Sequence, residues 1–311
     1  MRPAERGDRR HSLGGVMVPL ITPFTESLAV DWSALDDHVA RLLGSGIDVV
    51  VSADLVGEAW ALTAEEKAML FERTVQAASG RATVIAKLSE ASLPGCLRLA
   101  LAARSAGVDA VKMTLPSAAD GDAVCEYARA IERECGLPFL VETDGGQSPT
   151  GTLDQLLQLP GFIGVEEVSS DPNSFDDLVE RYGAHIPIIA GTEDALGFTL
   201  LVGAAGFMTA TPNFAPAFMR ALWAAAAARD VRKTFDLYRR LRRYRRLFSA
   251  DLRARQPMFA TYTKAALEVL GHRAGPPRPP LRPLSTHDKI ALAVVLREAF
   301  GLEPVRGAMP C

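Results

Sequence analysis

An alternation that runs through the first two-thirds of the chain constrains its fold more than any other feature. From Gly15 to about Asn213, short β-branched runs are each followed by a polar or glycine-containing turn and then by apolar residues at helical spacing. The runs occupy residues 16–21, 48–53, 83–87, 110–115, 138–142, 162–166, 186–190 and 206–209. Between them, residues 32–43, 64–78, 93–105, 123–135 and 174–181 each place apolar side chains on one helical face. Strands apolar on both faces and separated by helices pair in parallel through crossovers. Eight such units close on themselves more naturally than they fill an open sheet, so the pattern predicts a (β/α)8 TIM barrel. The competing arrangement, a doubly wound sheet, lacks the GxGxxG turn after the first strand that a dinucleotide fold would use.

Punctuation supports the helices. Asp31 and Thr63 stand at N-cap positions, and Glu66 lies three residues after Thr63, the capping-box spacing. Gly44, Gly80, Gly107 and Gly136 mark helix ends, and Asp171-Pro172-Asn173 reads as a turn opening a helix. After Asn213 the strands stop. Residues 216–229, 231–248, 257–270 and 286–300 read as helices, with a proline-rich connector at 275–283. The expected organisation is a flexible tail at 1–13, the barrel core at 14–213 and C-terminal helices packed on it at 214–311.

Charge narrows the partners. Net charge is −3 from 34 basic and 37 acidic residues, which favours neither nucleic acid nor an anionic membrane. The basic stretch from Tyr238 to Leu247 carries Leu237, Leu241, Tyr244 and Phe248 at helical spacing, so it reads as an amphipathic helix with a cationic outer face. Cys96, Cys125, Cys135 and Cys311 form no CxxC pair and read as reduced thiols. The Arg-rich start has no apolar run behind it, and no stretch reaches the roughly 20 apolar residues that span a bilayer. A cytoplasmic protein is expected.

Several local motifs resemble the dihydrodipicolinate synthase / N-acetylneuraminate lyase family over residues 15 to about 300. They are Thr22-Pro23-Phe24, Gly57-Glu58 with Leu62-Thr63-Ala64-Glu65-Glu66, and Ile163-Gly164-Val165 with Glu167. Gly191, Gly203, Gly206, Asn213 and Pro216 continue the match, as do Lys264-Ala265-Ala266-Leu267 and Arg278-Pro279-Pro280-Leu281. The resemblance implies a barrel, a homodimer or homotetramer, and a 2-oxo acid held as a Schiff base on a sixth-strand lysine. In this sequence Glu166 stands at that lysine's place, and a carboxylate cannot form an imine. Glu142 stands where the resemblance implies a proton-shuttling tyrosine, Leu55 and Val56 replace two hydroxyl residues, and Ser117 and Ala118 replace an aromatic pair.

Glu142 and Glu166 are therefore expected side by side. Two carboxylates in a partly dry pocket repel, so one takes a proton or a cation sits between them. The candidates are a divalent metal, which Glu142 and Glu166 would ligate as Mg²⁺ or Mn²⁺, and a lysine, Lys87 or Lys112. A buried Lys87–Glu166 pair would be a structural solution, whereas a displaced amine at Lys87 would be a catalytic one. No resident cofactor is expected otherwise. Asp54, Asp144, Glu193 and Asp194 broaden the acidic set at strand ends, and Leu55, Val56, Gly57, Asp144, Glu193 and Thr209 are the expected ligand contacts. Glu166, Glu142 and Lys87 are the candidate catalytic residues, in a lyase-like enzyme for a small carbonyl or carboxylate compound that works without the usual imine. The other class is a non-catalytic member that binds a metabolite or joins a mixed oligomer.

Overall fold

A computed structural model describes residues 13–115, 121–143, 151–247 and 255–305. Its strands are β1 (Gly15–Pro19), β2 (Val49–Ser52), β3 (Thr83–Lys87), β4 (Ala110–Thr114), β5 (Phe139–Thr143), β6 (Phe162–Glu167), β7 (Ile188–Ala190) and β8 (Gly206–Met208). They form a closed barrel in chain order, with every described pairing parallel. The eight-unit reading of the alternation is correct.

Period two sorts the side chains. Met17, Val49, Val51, Ile85, Ala110, Leu140, Ile189 and Met208 fill the barrel interior as one apolar cluster. Their neighbours Val18, Val50, Val84, Val111, Val141, Val165 and Phe207 face outward and merge with the helices into a second, larger cluster. Closure at β8–β1 depends on backbone approach: a Cβ on Gly206 would lie 2.4 Å from the carbonyl oxygen of Gly15. Asn213 clips the same seam. Its Nδ2 donates to the carbonyls of Pro19 (2.9 Å) and Ala210 (3.0 Å), and its Oδ1 accepts from Ile21 N and from His38 Nε2. Burial, then the charge of Arg41, lowers the pKa of His38 to about 3, so the ring is neutral, with Nδ1 accepting from Arg41.

The helices are α1 (Trp32–Gly44), α2 (Ala64–Ala78), α3 (Leu93–Ala106), α4 (Gly121–Cys135), α5 (Thr152–Leu156), α6 (Pro172–Tyr182), α7 (Leu196–Val202), α8 (Pro216–Ala227), α9 (Val231–Arg245), α10 (Arg255–Val269) and α11 (Thr286–Val295). Asp31 caps α1 by accepting from Ala34 N, and the capping box of Thr63 and Glu66 opens α2 with both hydrogen bonds present. Asp171 caps α6 with Pro172 in its first turn, as its sequence predicts. Two expected glycine stops shift by one residue. Gly44 is the last residue of α1, with Ser45 as its cap, and the left-handed cap of α2 is Ser79 rather than Gly80. The 5-residue α5 and 7-residue α7 are too short to show a periodic face.

Beyond β8, α8 packs on β1, α9 on α7 and α8, and α10 on the 3₁₀ turn Leu55–Gly57. On α9, Leu237, Tyr238, Leu241 and Tyr244 are buried and Arg239, Arg242, Arg243 and Arg246 are exposed. The uniformly cationic outer face needs one correction. Arg245 is buried, turned inward to Asp194 at 2.8 Å, because the 3.6-residue period places it beside Leu241 on the packed face. Phe248 lies outside the described residues. From α10, Lys264 Nζ reaches the wholly buried Glu58 at 2.5 Å and stands 3.9 Å from the centre of the Phe24 ring. Arg278 donates its backbone N–H to Glu58 and its guanidinium to Glu66, tying the chain after α10 to the start of α2. Among the described residues no helix is long and apolar enough to cross a membrane.

Candidate active site

The strand registers determine where charge collects. Lys87 pairs with Lys112 across β3–β4, and Thr114, Glu142 and Glu166 line up across β4–β6. Lys112 follows Ala110 by two residues, so it enters the barrel interior, and from there it reaches up to the carboxylates one layer above. Lys112 Nζ stands 2.5 Å from Glu166 Oε2, 2.6 Å from Asp54 Oδ2 and 2.9 Å from Glu142 Oε2. Only 2% of its side chain is exposed. Lys87 Nζ donates to the same Glu142 oxygen at 2.9 Å and to Thr114 Oγ1 at 2.7 Å.

Glu142 and Glu166 are thus neighbours, and the cation between them is an ammonium. It comes from Lys112 on β4, whereas the pair expected for Lys87 and Glu166 does not form: Lys87 is one strand further away and reaches Glu142 instead. The ammonium lies within 2.9 Å of three carboxylates, and donates to Glu166 Oε2 and, at 3.6 Å, to Met208 Sδ. A divalent ion would have to displace that ammonium, so these residues as arranged do not fit a metal. Among the described residues no cluster of three or more His, Cys, Asp and Glu side chains forms a metal site.

The proton affinities follow. Burial disfavours the charged form of Lys112, but the charges of Asp54, Glu166 and Glu142 outweigh it and hold its pKa well above the usual lysine value. Burial likewise disfavours ionised Glu142, yet Lys112 and Lys87 together keep it below the usual carboxylate range. Glu166 goes the other way. Burial, with the charges of Glu142 and Asp54, pushes it up to about 7 against the pull of Lys112. Two carboxylates on adjacent strands therefore differ in protonation near neutral pH, the usual sign of separated acid and base roles.

Above this cluster is a cavity of about 130 Å³ whose floor is Asp54, Lys112, Glu142 and Glu166. Of the expected ligand residues, Leu55, Val56, Glu193 and Thr209 line it. Gly57 does not; it lies against the end of β1, where a Cβ would be 2.7 Å from the carbonyl oxygen of Leu20. Asp194 belongs to the α9 contact with Arg245, and Lys87 touches the cavity only through Glu142. Asp144, Ser117 and Ala118 lie outside the described residues. Pro19 and Gly191 also line it, as do Met208, Val168, Thr192, Ala210 and Phe259, and sequence reasoning missed the last five. Their positions at or just beyond the ends of β6, β7 and β8, where barrel sites form, were the available signal for all but Phe259.

The profile of the dihydrodipicolinate synthetase family matches residues 12–299. This chain belongs to that family. 4-Hydroxy-tetrahydrodipicolinate synthase 1 of Streptomyces coelicolor is 30% identical over 275 residues, covering 86% of this chain and 88% of that protein. The 4-hydroxy-tetrahydrodipicolinate synthase of Methanopyrus kandleri is 28% identical over 302 residues, covering 94% and 98%. Among solved structures, the dihydrodipicolinate synthase from Bacillus clausii superposes with a TM-score of 0.85 at 27% identity, covering 93% of this chain and 98% of that one. The dihydrodipicolinate synthetase family thus accounts for the barrel together with its C-terminal helices. In this member β6 carries Glu166 and Glu167 and no lysine. Glu167 accepts from Thr143 Oγ1 and Ser169 N, on the outer side of the strand.

Proposed function

We propose that this family member is a lyase-type enzyme that acts on a small carbonyl compound by acid–base chemistry, with a fixed ammonium in place of an imine. The observation that carries this reading is Lys112 Nζ held by Asp54, Glu142 and Glu166 in the cavity floor. An amine attacks a carbonyl only with a free lone pair, and Lys112 is kept as an ammonium among three carboxylates. A buried ammonium beside a developing oxyanion lowers the cost of an enolate without a covalent bond.

In this scheme Glu166, ionised above a pKa of about 7, takes the proton from the carbon next to the substrate carbonyl. The C–H bonding pair becomes the enolate, and its charge settles on the carbonyl oxygen. Protonation makes Glu166 a weaker acceptor, so the Lys112 N–H it held turns to the new oxyanion. Return of the proton to that carbon resets Glu166, as does its delivery to a group that leaves the next carbon with its bonding pair while the enolate becomes the C=C bond and the carbonyl re-forms. Glu142, held ionised by both lysines, fixes Lys112 in place rather than exchanging protons. Leu55, Val56, Glu193 and Thr209 would hold the substrate. Family kinship supports a homodimer or homotetramer and no resident cofactor.

Incubation in D2O with a panel of small carbonyl compounds, read by proton NMR, tests this directly. Deuterium should enter the carbon next to the carbonyl, and borohydride added to the same mixture should leave the intact mass unchanged. A borohydride-stable adduct on Lys112 or Lys87 would restore imine chemistry at a new residue. Absence of exchange across the panel would leave the non-catalytic reading.

A further inference from the structure

Two lysines and three carboxylates share one layer of the barrel: Asp54 after β2, Lys87 on β3, Lys112 on β4, Glu142 on β5 and Glu166 on β6. Two ammonium groups balance two carboxylates in this largely buried layer, so the third is the one that takes a proton most readily. Which one it is depends on how the cations are shared. Glu142 meets both of them through Oε2, each at 2.9 Å, and its Oε1 accepts from Thr114 Oγ1 at 3.1 Å. Asp54 has Lys112 at 2.6 Å from Oδ2 and the backbone N–H of Leu55 at 2.6 Å from Oδ1. The carboxylate of Glu166 has Lys112 alone among the described residues, and that ammonium is shared three ways. Glu193, beyond β7, lines the same cavity, but Arg245 Nε on α9 stands 4.0 Å from its Oε2 and Thr211 N donates to its Oε1, so its charge is met from outside the layer.

Lys87 is the asymmetric member. It is buried, it does not line the cavity, and Glu142 is its single carboxylate among the described residues. It also donates to Thr114 Oγ1 at 2.7 Å, and Thr114 donates in turn to Glu142 Oε1. Lys87 and Thr114 thus close a ring of hydrogen bonds on one carboxylate and leave the others untouched.

We propose that Lys87 is a positioning residue of this site: without meeting the substrate, it keeps Glu142 a fixed anion and leaves the layer's exchangeable proton to Glu166. Its consequence for turnover rests on the acid–base reading of the cavity, whereas the placement of the proton can be measured without turnover. Without the Lys87 charge, one ammonium would face three carboxylates, and Glu142 would keep only its share of Lys112 and the Thr114 hydroxyl. It is the one carboxylate of the layer that loses a cation, so its proton affinity rises most and the difference from Glu166 narrows. A protonated Glu142 no longer fixes Lys112, and the division between base and anchor is lost.

NMR titration of the full-length protein, carrying 13C at the glutamate δ-carboxyl, tests this, with Glu142→Gln and Glu166→Gln used to assign the two signals. In the wild-type protein Glu166 should titrate near 7 and Glu142 below the ordinary carboxylate value of 4.5. Lys87→Gln, which keeps a hydrogen-bond donor but no charge, should raise the Glu142 midpoint by about 1–3 units, the effect of one adjacent opposite charge. Glu166 should move less, and Lys87→Arg should restore the wild-type order. An unmoved Glu142 midpoint in Lys87→Gln, an equal shift in Lys87→Arg, or a Glu166 shift as large as that of Glu142 would each overturn the proposal. Should the Lys87 variants fail to fold, the wild-type titration still decides: Glu142 and Glu166 titrating together, or in the opposite order, would sink it.

Deuterium exchange into whichever carbonyl compound reacts supplies the catalytic readout. The rate should fall with one ionisation on the acid side in the wild-type protein and Lys87→Arg, and more steeply in Lys87→Gln, where a second proton arrives. A shifted Glu142 midpoint with no exchange on any compound would sink the acid–base reading and leave the sorting of protons standing. Exchange with an unmoved Glu142 midpoint would do the reverse.

Discussion

Glu142 Oε2 lies 2.9 Å from the ammonium groups of both Lys87 and Lys112, so one oxygen joins the two lysines into a single charged unit. Removing Lys112 would leave Asp54 and Glu166 without their cation and Glu142 with Lys87 alone, and breaking a buried ion pair in this way costs about 3–5 kcal/mol. Lys112→Met should therefore lower stability by that amount at neutral pH in urea titrations. The loss should shrink in mild acid, where the stranded carboxylates protonate. Glu166 gives the kinetic counterpart. Its folded pKa, about 7, lies above the ordinary carboxylate value of 4.5. If its ionised form is the base, kcat/KM rises as pH climbs to about 7 and then levels. Glu166→Gln should lower the rate by about 10²-fold or more and erase that limb, whereas a purely structural role would shift stability and leave the pH profile's shape intact. The sequence already marked Glu142 and Glu166 as paired acids. It did not single out Lys112, because choosing between two lysines on adjacent strands requires the barrel's register and layer heights.

At the scale of elements, the strands were legible because their apolar runs are short and β-branched, and the longer helices because capping residues flank a clear period. Registers were not, and neither was the turning of Arg245 into the core, since one arginine among several on α9 carries no local mark of its direction. The seam between β8 and β1 makes a separate prediction. His38 holds Asn213 as a neutral ring with a pKa of about 3 in the folded protein, against 6.5 for an ordinary histidine. The unfolded chain thus binds the extra proton between those values. This contribution is complete above pH 6.5 and is lost as pH falls toward 3. Thermal melts across that interval should show the loss, and Asn213→Ala should destabilise the barrel without flattening that loss, since the Asn213 hydrogen bond raises the His38 pKa and its removal lowers that pKa further.

The whole molecule is tied together by contacts that cross from the barrel's first third to its last helices. Lys264 on α10 meets Glu58 in the core, and burial, opposed by Glu58, lowers its pKa to about 8. Lys264→Met should cost about 3–5 kcal/mol by stranding a wholly buried carboxylate. Calorimetry should still find one cooperative transition, because α10 and the 3₁₀ turn at Leu55–Gly57 share that contact. A second, separate melting of the C-terminal helices would contradict this.

The ammonium at the barrel's centre also restricts which sequences this site can reach by single changes. Glu166→Lys alone would set a second ammonium where Lys112 now meets a carboxylate at 2.5 Å, and would remove the acceptor that balances it. Lys112→Met alone strands Asp54 and Glu166 and leaves Glu142 with Lys87 only. Each step is harmful by itself, and only the double change Glu166→Lys/Lys112→Met keeps one central ammonium beside Lys87, facing Asp54 and Glu142. Positions 112 and 166 therefore change together or not at all, which gives this barrel a latch that neither residue provides alone.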